Sequence, residues 1–398
     1  MFSNSNVAIW AVLFLSACGD DAAKPADAAP GDTVADAPID ALDHCVLGVG
    51  ASYPTGTAPS SVVLGTFDAD ARLDAVVMSS TELALFPGVG DGTLGAKSVI
   101  ATLTNAPLMY ASHALAAADL NADGIADLIH TAGNNIVVRM SNGNGTFAAP
   151  VSYNMGAAVL AITTGRFDAG VSIDVAVLEL AGEVDLLANP NNNGTLVAGA
   201  PLTTVGGSAP ASIVAGEVSG DTNVDLVTGA VGAQFENVYV YSGAGNLTFS
   251  SGSGRPAAGS PHGVATGDMD GDGNGDVIVS NSTAVNQVSF LKGLGNGGFE
   301  APVSVATGHD PVNIVVADVT GDQHPDVITA NYTGADNVSL LRNNGDGTLA
   351  AAESVSWCAA GCETMGLAAG DLNADDVLDV VAVSRAQNTL QVLLVSCP

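Results

Sequence analysis

Apolar runs of two or three residues recur along the chain, each following an Asp that closes an acidic, Gly- and Asn-rich phrase. The runs are Ala75-Val76-Val77, Leu128-Ile129, Val175-Ala176-Val177, Leu226-Val227, Val277-Ile278-Val279, Val327-Ile328 and Val380-Val381, behind Asp74, Asp127, Asp174, Asp225, Asp276, Asp326 and Asp379. Another apolar run precedes each phrase, as in Ile314-Val315-Val316-Ala317. Apolar segments flanking a polar turn predict a hairpin, so each phrase joins two strands. About 15 residues further on stands a Gly/Asn turn: GVGDGTL (Gly88–Leu94), SNGNGTF (Ser141–Phe147), NNNGTL (Asn191–Leu196), GAGNLTF (Gly243–Phe249), GLGNGGF (Gly293–Phe299) and NNGDGTL (Asn343–Leu349). Such turns suit left-handed backbone and predict the next hairpin. The unit is therefore strand, acidic loop, strand, short loop, strand, Gly/Asn turn, strand. It recurs about every 50 residues, the length of a four-stranded antiparallel propeller blade. The inner strands carry little charge, as expected where neighbouring blades cover both faces of a sheet.

The chain holds seven acidic phrases but six Gly/Asn turns. The last blade, Met365 to Val395, has three strands before the chain stops. The stretch Cys45 to Gly56 resembles the outer strand of other repeats, such as APVSYNMG (Ala149–Gly156), and is expected to complete that blade. The predicted fold is an all-β, seven-bladed β-propeller over residues 44–398, its ring closed by the N-terminal strand so that edges are paired. No long helix is evident beyond the first 17 residues.

Residues 1–17 read as a signal peptide: the apolar stretch Val7–Leu15 is too short to span a bilayer. It runs into Leu15-Ser16-Ala17-Cys18, which resembles a bacterial lipobox, although Met1–Asn6 lacks Lys and Arg. The resemblance implies lipidation of Cys18 and an exported protein anchored to the cell envelope, at the outer membrane or surface. Residues 18–43, rich in Ala, Asp and Pro, cannot bury enough apolar surface to fold and form a tether. Four further cysteines in an oxidising compartment allow three pairings. Cys45 opens the closing strand and Cys397 ends the strand beside it, which favours Cys45–Cys397 and leaves Cys358 with Cys362.

Net charge is −32, with 41 acidic against nine basic residues. Such charge disfavours nucleic acid. Much of the acid is crowded into the phrases, where carboxylates repel unless a cation joins them. Calcium takes six to eight oxygens, and the first, third, fifth and ninth places of the phrase supply them, with a carbonyl at the seventh. Five copies keep the set: Asp119/Asn121/Asp123/Asp127, Glu217/Ser219/Asp221/Asp225, Asp268/Asp270/Asp272/Asp276, Asp318/Thr320/Asp322/Asp326 and Asp371/Asn373/Asp375/Asp379. The expectation is about five structural calcium ions. The first copy is impaired by Thr66 and Arg72, the third by Arg166 and Gly170, and an Arg there can stand in for the ion's charge. An EF-hand does not fit, because the twelfth place is apolar (Val279 in the fifth copy) and strands flank the loop.

With these motifs the chain resembles FG-GAP/VCBS-type repeats, best known from the N-terminal propellers of integrin alpha chains. The resemblance implies a seven-bladed propeller with calcium between the first two strands of a blade, and a ligand on the opposite face. Functions in that family are diverse, so fold does not settle function. No HExxH, GxSxG, P-loop or dinucleotide fingerprint is present. On the opposite face the longer loops carry Tyr110, Phe235, Arg255, Tyr332 and Trp357 as large contact groups. His113 and His262 occupy equivalent places, with His309 close to the next, and could converge on the central channel. The expected function is a monomeric surface scaffold binding a protein or glycan, with no catalytic residues assigned. The alternative is a polysaccharide lyase or hydrolase acting on that face.

Overall fold

A computed structural model describes residues 45–104, 113–203, 209–231, 237–282, 285–358 and 361–397. The signal segment, Cys18, the tether, Tyr110 and Phe235 lie outside the described residues. Within them the chain is all strand and turn, and no helix is long and apolar enough to cross a membrane.

Seven antiparallel sheets form, each hydrogen-bonded in chain order except the last. The innermost strands are Ser61–Gly65, Leu115–Ala118, Val159–Gly165, Ala209–Gly216, Ser260–Gly267, Pro311–Ala317 and Thr364–Gly370. Each packs beside the next, and the first meets the last, so the sheets are blades of a closed propeller. In the seventh blade Val46–Pro54 pairs antiparallel with Thr389–Ser396 as its outer strand. The disulfide Cys45–Cys397 fastens that closure, and Cys358–Cys362 pairs within one loop.

The core consists of seven apolar clusters, each lying chiefly between two neighbouring blades. Phe67, Met78 and Leu85 of the first blade meet Leu115 and Leu128 of the second. Ile328 and Leu340 of the sixth meet Leu393, Val395 and Leu47 of the seventh. The second strands, such as Asp74–Met78, are buried throughout. A sheet sandwiched by two others hides both faces, which is why these strands read as unbroken apolar runs. Each buried Leu, Ile or Phe contributes roughly 1.5–3 kcal/mol.

Two local features depart from the regular blade. The outer strand of the third blade is split into Val197–Ala198 and Leu202–Thr203, with Gly199-Ala200-Pro201 between them. Pro201 has no N–H for a ladder, which suits an edge position. In addition, the innermost strands of five blades begin with a register shift, after Val159, Pro210, Pro261, Pro311 and Thr364. These bulges sit on the face away from the acidic loops.

Candidate functional site

All acidic loops emerge on one face. In the five copies with full ligand sets, the fourth and sixth places are both left-handed: Ala122 and Gly124, Gly220 and Thr222, Gly271 and Gly273, Gly321 and Gln323, Ala374 and Asp376. Only the sixth-place Ala71 is left-handed in the first loop, and neither place is in the third. The double reversal folds the loop around its first carboxylate. Asp119 accepts N–H groups from Asn121, Asp123 and Gly124, and Asp371 from Asn373, Ala374, Asp375 and Asp376. Glu217 and Asp318 are bound in the same way. The fifth-place Asp accepts the N–H two residues on, as Asp123 does from Ile125 and Asp221 from Asn223, both at 2.9 Å.

The third place does not behave alike in all five loops. Ser219, a third-place residue expected to offer its oxygen to an ion, turns its hydroxyl proton onto the loop's own carboxylates. Ser219 Oγ donates to Asp225 Oδ1 at 3.2 Å and lies 3.4 Å from Glu217 Oε1. This placement of the hydroxyl is compatible with the ligand role expected of Ser219. Its physical reason is that a hydroxyl, unlike the carboxylate of Asp270, carries a proton that two nearby carboxylates can share. The lone pairs of Ser219 Oγ remain able to accept a cation, so the residue bridges the first- and ninth-place acids as well as standing at the third place. Asn121 and Asn373 are also engaged, each donating its amide to the fifth-place Asp, at 2.9 and 3.0 Å, while keeping an amide oxygen on the loop.

The ninth-place Asp is fully buried in every blade. One oxygen accepts an N–H at the far end of the third strand: Gly88, Ser141, Asn189, Gly243, Gly293, Asn343 or Val395, at 2.7 to 2.9 Å. In six blades the other oxygen accepts the second-place N–H, at 2.8 to 3.1 Å. This residue therefore clamps the acidic loop to the neighbouring turn, with or without an ion. Burial pushes these carboxyls up, Asp276 to about 7 and Asp74, Asp127, Asp326 and Asp379 to about 6. The donated N–H groups oppose the rise, while the other loop carboxylates add to it.

The second-place residue (Phe67, Leu120, Phe167, Val218, Met269, Val319 or Leu372) is a buried apolar plug. Its carbonyl receives bonds from the next blade's turn, from Ser141 Oγ to Phe67, Asn189 Nδ2 to Leu120 and Asn343 Nδ2 to Met269. Each acidic loop thus lies at a joint between blades.

The donors are oxygens of hard character, which suit calcium. Ligand oxygens of Asp268, Asp270 and Asp276 lie within 4.8 Å of one another, the one such triad among the described residues. Asp268 Oδ1 is buried there without a hydrogen-bond partner, and in the sixth loop Thr320 Oγ1 and Asp326 Oδ2 are buried with none beyond the weak pull of the Thr320 hydroxyl on the Asp326 carboxyl. Oxygens left in this state are what a cation would satisfy, so the residues fit the ion. A feature missed in the sequence is Lys292, whose ammonium pairs with Asp270 and, at 3.0 Å, with Asp272. Its one sequence signal is its place just before the GLGNGGF turn. In the first loop Arg72 pairs with Asp70 at 3.2 Å, so an internal cation is present there too. In the third, Asp168 caps the Gly170 N–H at 2.7 Å.

A channel of about 260 Å³ runs between the innermost strands. Its seven-membered ring of Val62, Leu115, Ile162, Ile213, Val264, Ile314 and Leu367 takes one residue from the same place in every blade. Thr163, Thr164, Thr266 and Asn313 add polar groups, and His113 is the titratable residue of the lining. Burial pushes His113 down to about 4 and also lowers His262, against the pull of Asp310. The three histidines do not converge: His262 sits in a bulge off the lining, and His309 lies exposed, 3.9 Å from Asp336. Of the large groups expected on the opposite face, Arg255 instead donates to the Gly297 carbonyl in the next blade's Gly/Asn turn, on the acidic side. Tyr332 and Trp357 are half-buried against the core.

The FG-GAP-like repeat family matches residues 67–130, 268–329 and 318–382. No curated protein matches the chain in sequence. Among solved structures, an Agrocybe aegerita lectin described as recognising non-reducing terminal N-acetylglucosamine aligns with a TM-score of 0.55 and 16% identity, over 83% of this chain and 86% of the lectin. BBS1N, solved in complex with ARL6DN, aligns with a TM-score of 0.61 and 13% identity, over 88% of this chain and 97% of its own. A second structure of that complex gives 0.59 and 14%. At such identities the likeness is one of fold. The matched repeats, spaced around a closed ring of seven blades, make this chain an FG-GAP repeat β-propeller protein.

Proposed function

We propose that this protein is a calcium-stabilised cell-surface propeller that binds a protein or a glycan on the face opposite the acidic loops. The carrying observation is the unequal build of the two faces. One face holds five acidic loops of a single backbone form, each with its second-place residue bonded or packed at a joint between blades. Calcium bound there would cancel carboxylate repulsion and lock the joints. Loops 2, 4, 5, 6 and 7 would hold it through the first-, third-, fifth- and ninth-place residues named above. The other face is thereby left as a rigid platform around an aliphatic channel mouth, which suits contact better than acid–base chemistry.

The two partner classes are those of the fold's neighbours, a glycan for the lectin and a protein for BBS1N. Export, lipidation at Cys18 and a monomeric state complete the proposal, with the tether holding the ring off the membrane. A glycan array and an envelope-protein pull-down with the mature chain test it. Saturable binding that is lost in chelator supports the reading. Binding to neither class, or the release of new polysaccharide ends, contradicts it.

A further inference from the structure

The sixth acidic loop differs from the others in what it touches. Cys45 Sγ of the ring-closing disulfide lies 3.0 Å from the Thr320 carbonyl oxygen, and Cys397 Sγ lies 4.0 Å from the same atom. Thr320 holds the third place of that loop. A second route joins the same two features. The Cys45 carbonyl accepts a hydrogen bond from Arg342, and the next residue, Asn343, donates its N–H to Asp326 at 2.9 Å. A third is apolar: Val319, the second-place plug, packs in one cluster with Cys45 and Leu47. The loop also carries two unsatisfied oxygens. Thr320 Oγ1 and Asp326 Oδ2 are buried with no partner beyond the weak pull of the Thr320 hydroxyl on the Asp326 carboxyl, although the second-place N–H caps the corresponding Asp oxygen in the other six blades.

We infer that the Cys45–Cys397 disulfide sets the cation affinity of the sixth loop, so that oxidation of the ring closure and calcium binding at Asp318, Thr320, Asp322 and Asp326 reinforce one another. The inference rests on the calcium reading and adds a redox control to one site. The disulfide holds the Thr320 carbonyl and the Arg342–Asn343 segment in place, and these two position the unpartnered oxygens. Linkage makes the effect mutual: what raises calcium affinity in the oxidised state must make the disulfide harder to reduce when calcium is bound.

The opening step is ordinary thiol–disulfide exchange with a dithiol. A thiolate attacks Sγ of the exposed Cys397, and Cys45 leaves as a thiolate and takes a proton. The reagent's second thiol then closes on the mixed disulfide, releasing Cys397 as a thiol. The dithiol is oxidised to its cyclic disulfide, and both cysteines are reduced, by two electrons in all.

The test is the rate at which a dithiol opens Cys45–Cys397 in the native chain, with saturating calcium and with chelator. A C358S/C362S background removes the second disulfide. Calcium should slow reduction, and in a dithiol redox buffer it should shift the equilibrium toward the disulfide by about tenfold, within the usual range of site–site coupling. Asp318→Asn should abolish that slowing, while Asp119→Asn, in a loop far from the disulfide, should leave it intact. At equilibrium, each tenfold of coupling appears as about 30 mV in the midpoint. Equal slowing in the parent and in Asp318→Asn overturns the inference. If calorimetric titration finds no calcium bound to the oxidised parent, the calcium reading itself fails, which is a separate outcome.

Discussion

Asp174 Oδ1 accepts the backbone N–H of Asn189 at 2.8 Å, in the one blade whose acidic loop has lost its first- and fifth-place oxygens. Its other oxygen accepts the Phe167 N–H at 3.1 Å. The same pair of bonds recurs where the ligand set is complete, as at Asp127 with Ser141 and Leu120. The ninth-place Asp therefore holds the blade's turn together, whatever the fate of the ion.

Asp174→Asn should separate this clamp from metal binding. An amide can accept one of the two N–H groups but turns an NH₂ toward the other, leaving a buried donor unpaired. The expected loss is about 2–4 kcal/mol, and urea denaturation should give the same difference in calcium and in chelator. A loss seen only with calcium would assign the third loop an ion that its residues do not support.

The third blade also carries a pH-dependent weakness. Asp185 is pushed up to about 6 by burial first, and then by the neighbouring Glu179 and Glu183. Its folded value lies above its ordinary 3.8, so the stability it contributes is complete below that value and is lost as pH rises through about 6. Asp185→Asn should thus stabilise the protein at pH 8 by roughly 1 kcal/mol, allowing for solvent screening at a half-exposed site. Near pH 4 it should have little effect. Thermal melts across pH 4 to 8 check this, and an equal gain at both ends would rule out titration of Asp185 as the cause.

Lys292 competes with any cation for the fifth loop, because its ammonium already pairs with Asp270 and Asp272. The copy richest in carboxylates is thereby expected to be weaker than its composition suggests. Lys292→Met should tighten one calcium site several-fold in a calorimetric titration and leave the others unchanged. Weaker binding in the variant would show that the lysine orders the loop rather than blocking it.

Most of the architecture was legible in the chain. Turn residues and apolar runs are local signals, and seven acidic phrases against six Gly/Asn turns forced a shared last blade, which Val46–Pro54 completes. Local signals also sorted the loops, since the five with full ligand sets are the five with two left-handed residues. What could not be read depends on where side chains turn. The clamp role of Asp174, the reach of Lys292 and the bonding of Arg255 to Gly297 each join residues 15 to 42 apart in sequence, in directions no period encodes. Ser219 shows the same limit within one loop: its place in the phrase was legible, but not the turn of its hydroxyl onto Asp225. The histidines failed to converge for a related reason. A bulge beginning at Pro261 takes His262 out of the register that places His113 in the channel lining.

Differential scanning calorimetry of the purified protein, in calcium and in excess chelator, tests the central claim most directly. Each ion that binds only the folded loop adds about 2.7 kcal/mol at a hundredfold excess over its Kd. With several sites acting together, chelator should lower Tm by about 10 °C or more, and added calcium should restore it. A melt that is the same in both solutions would contradict the account.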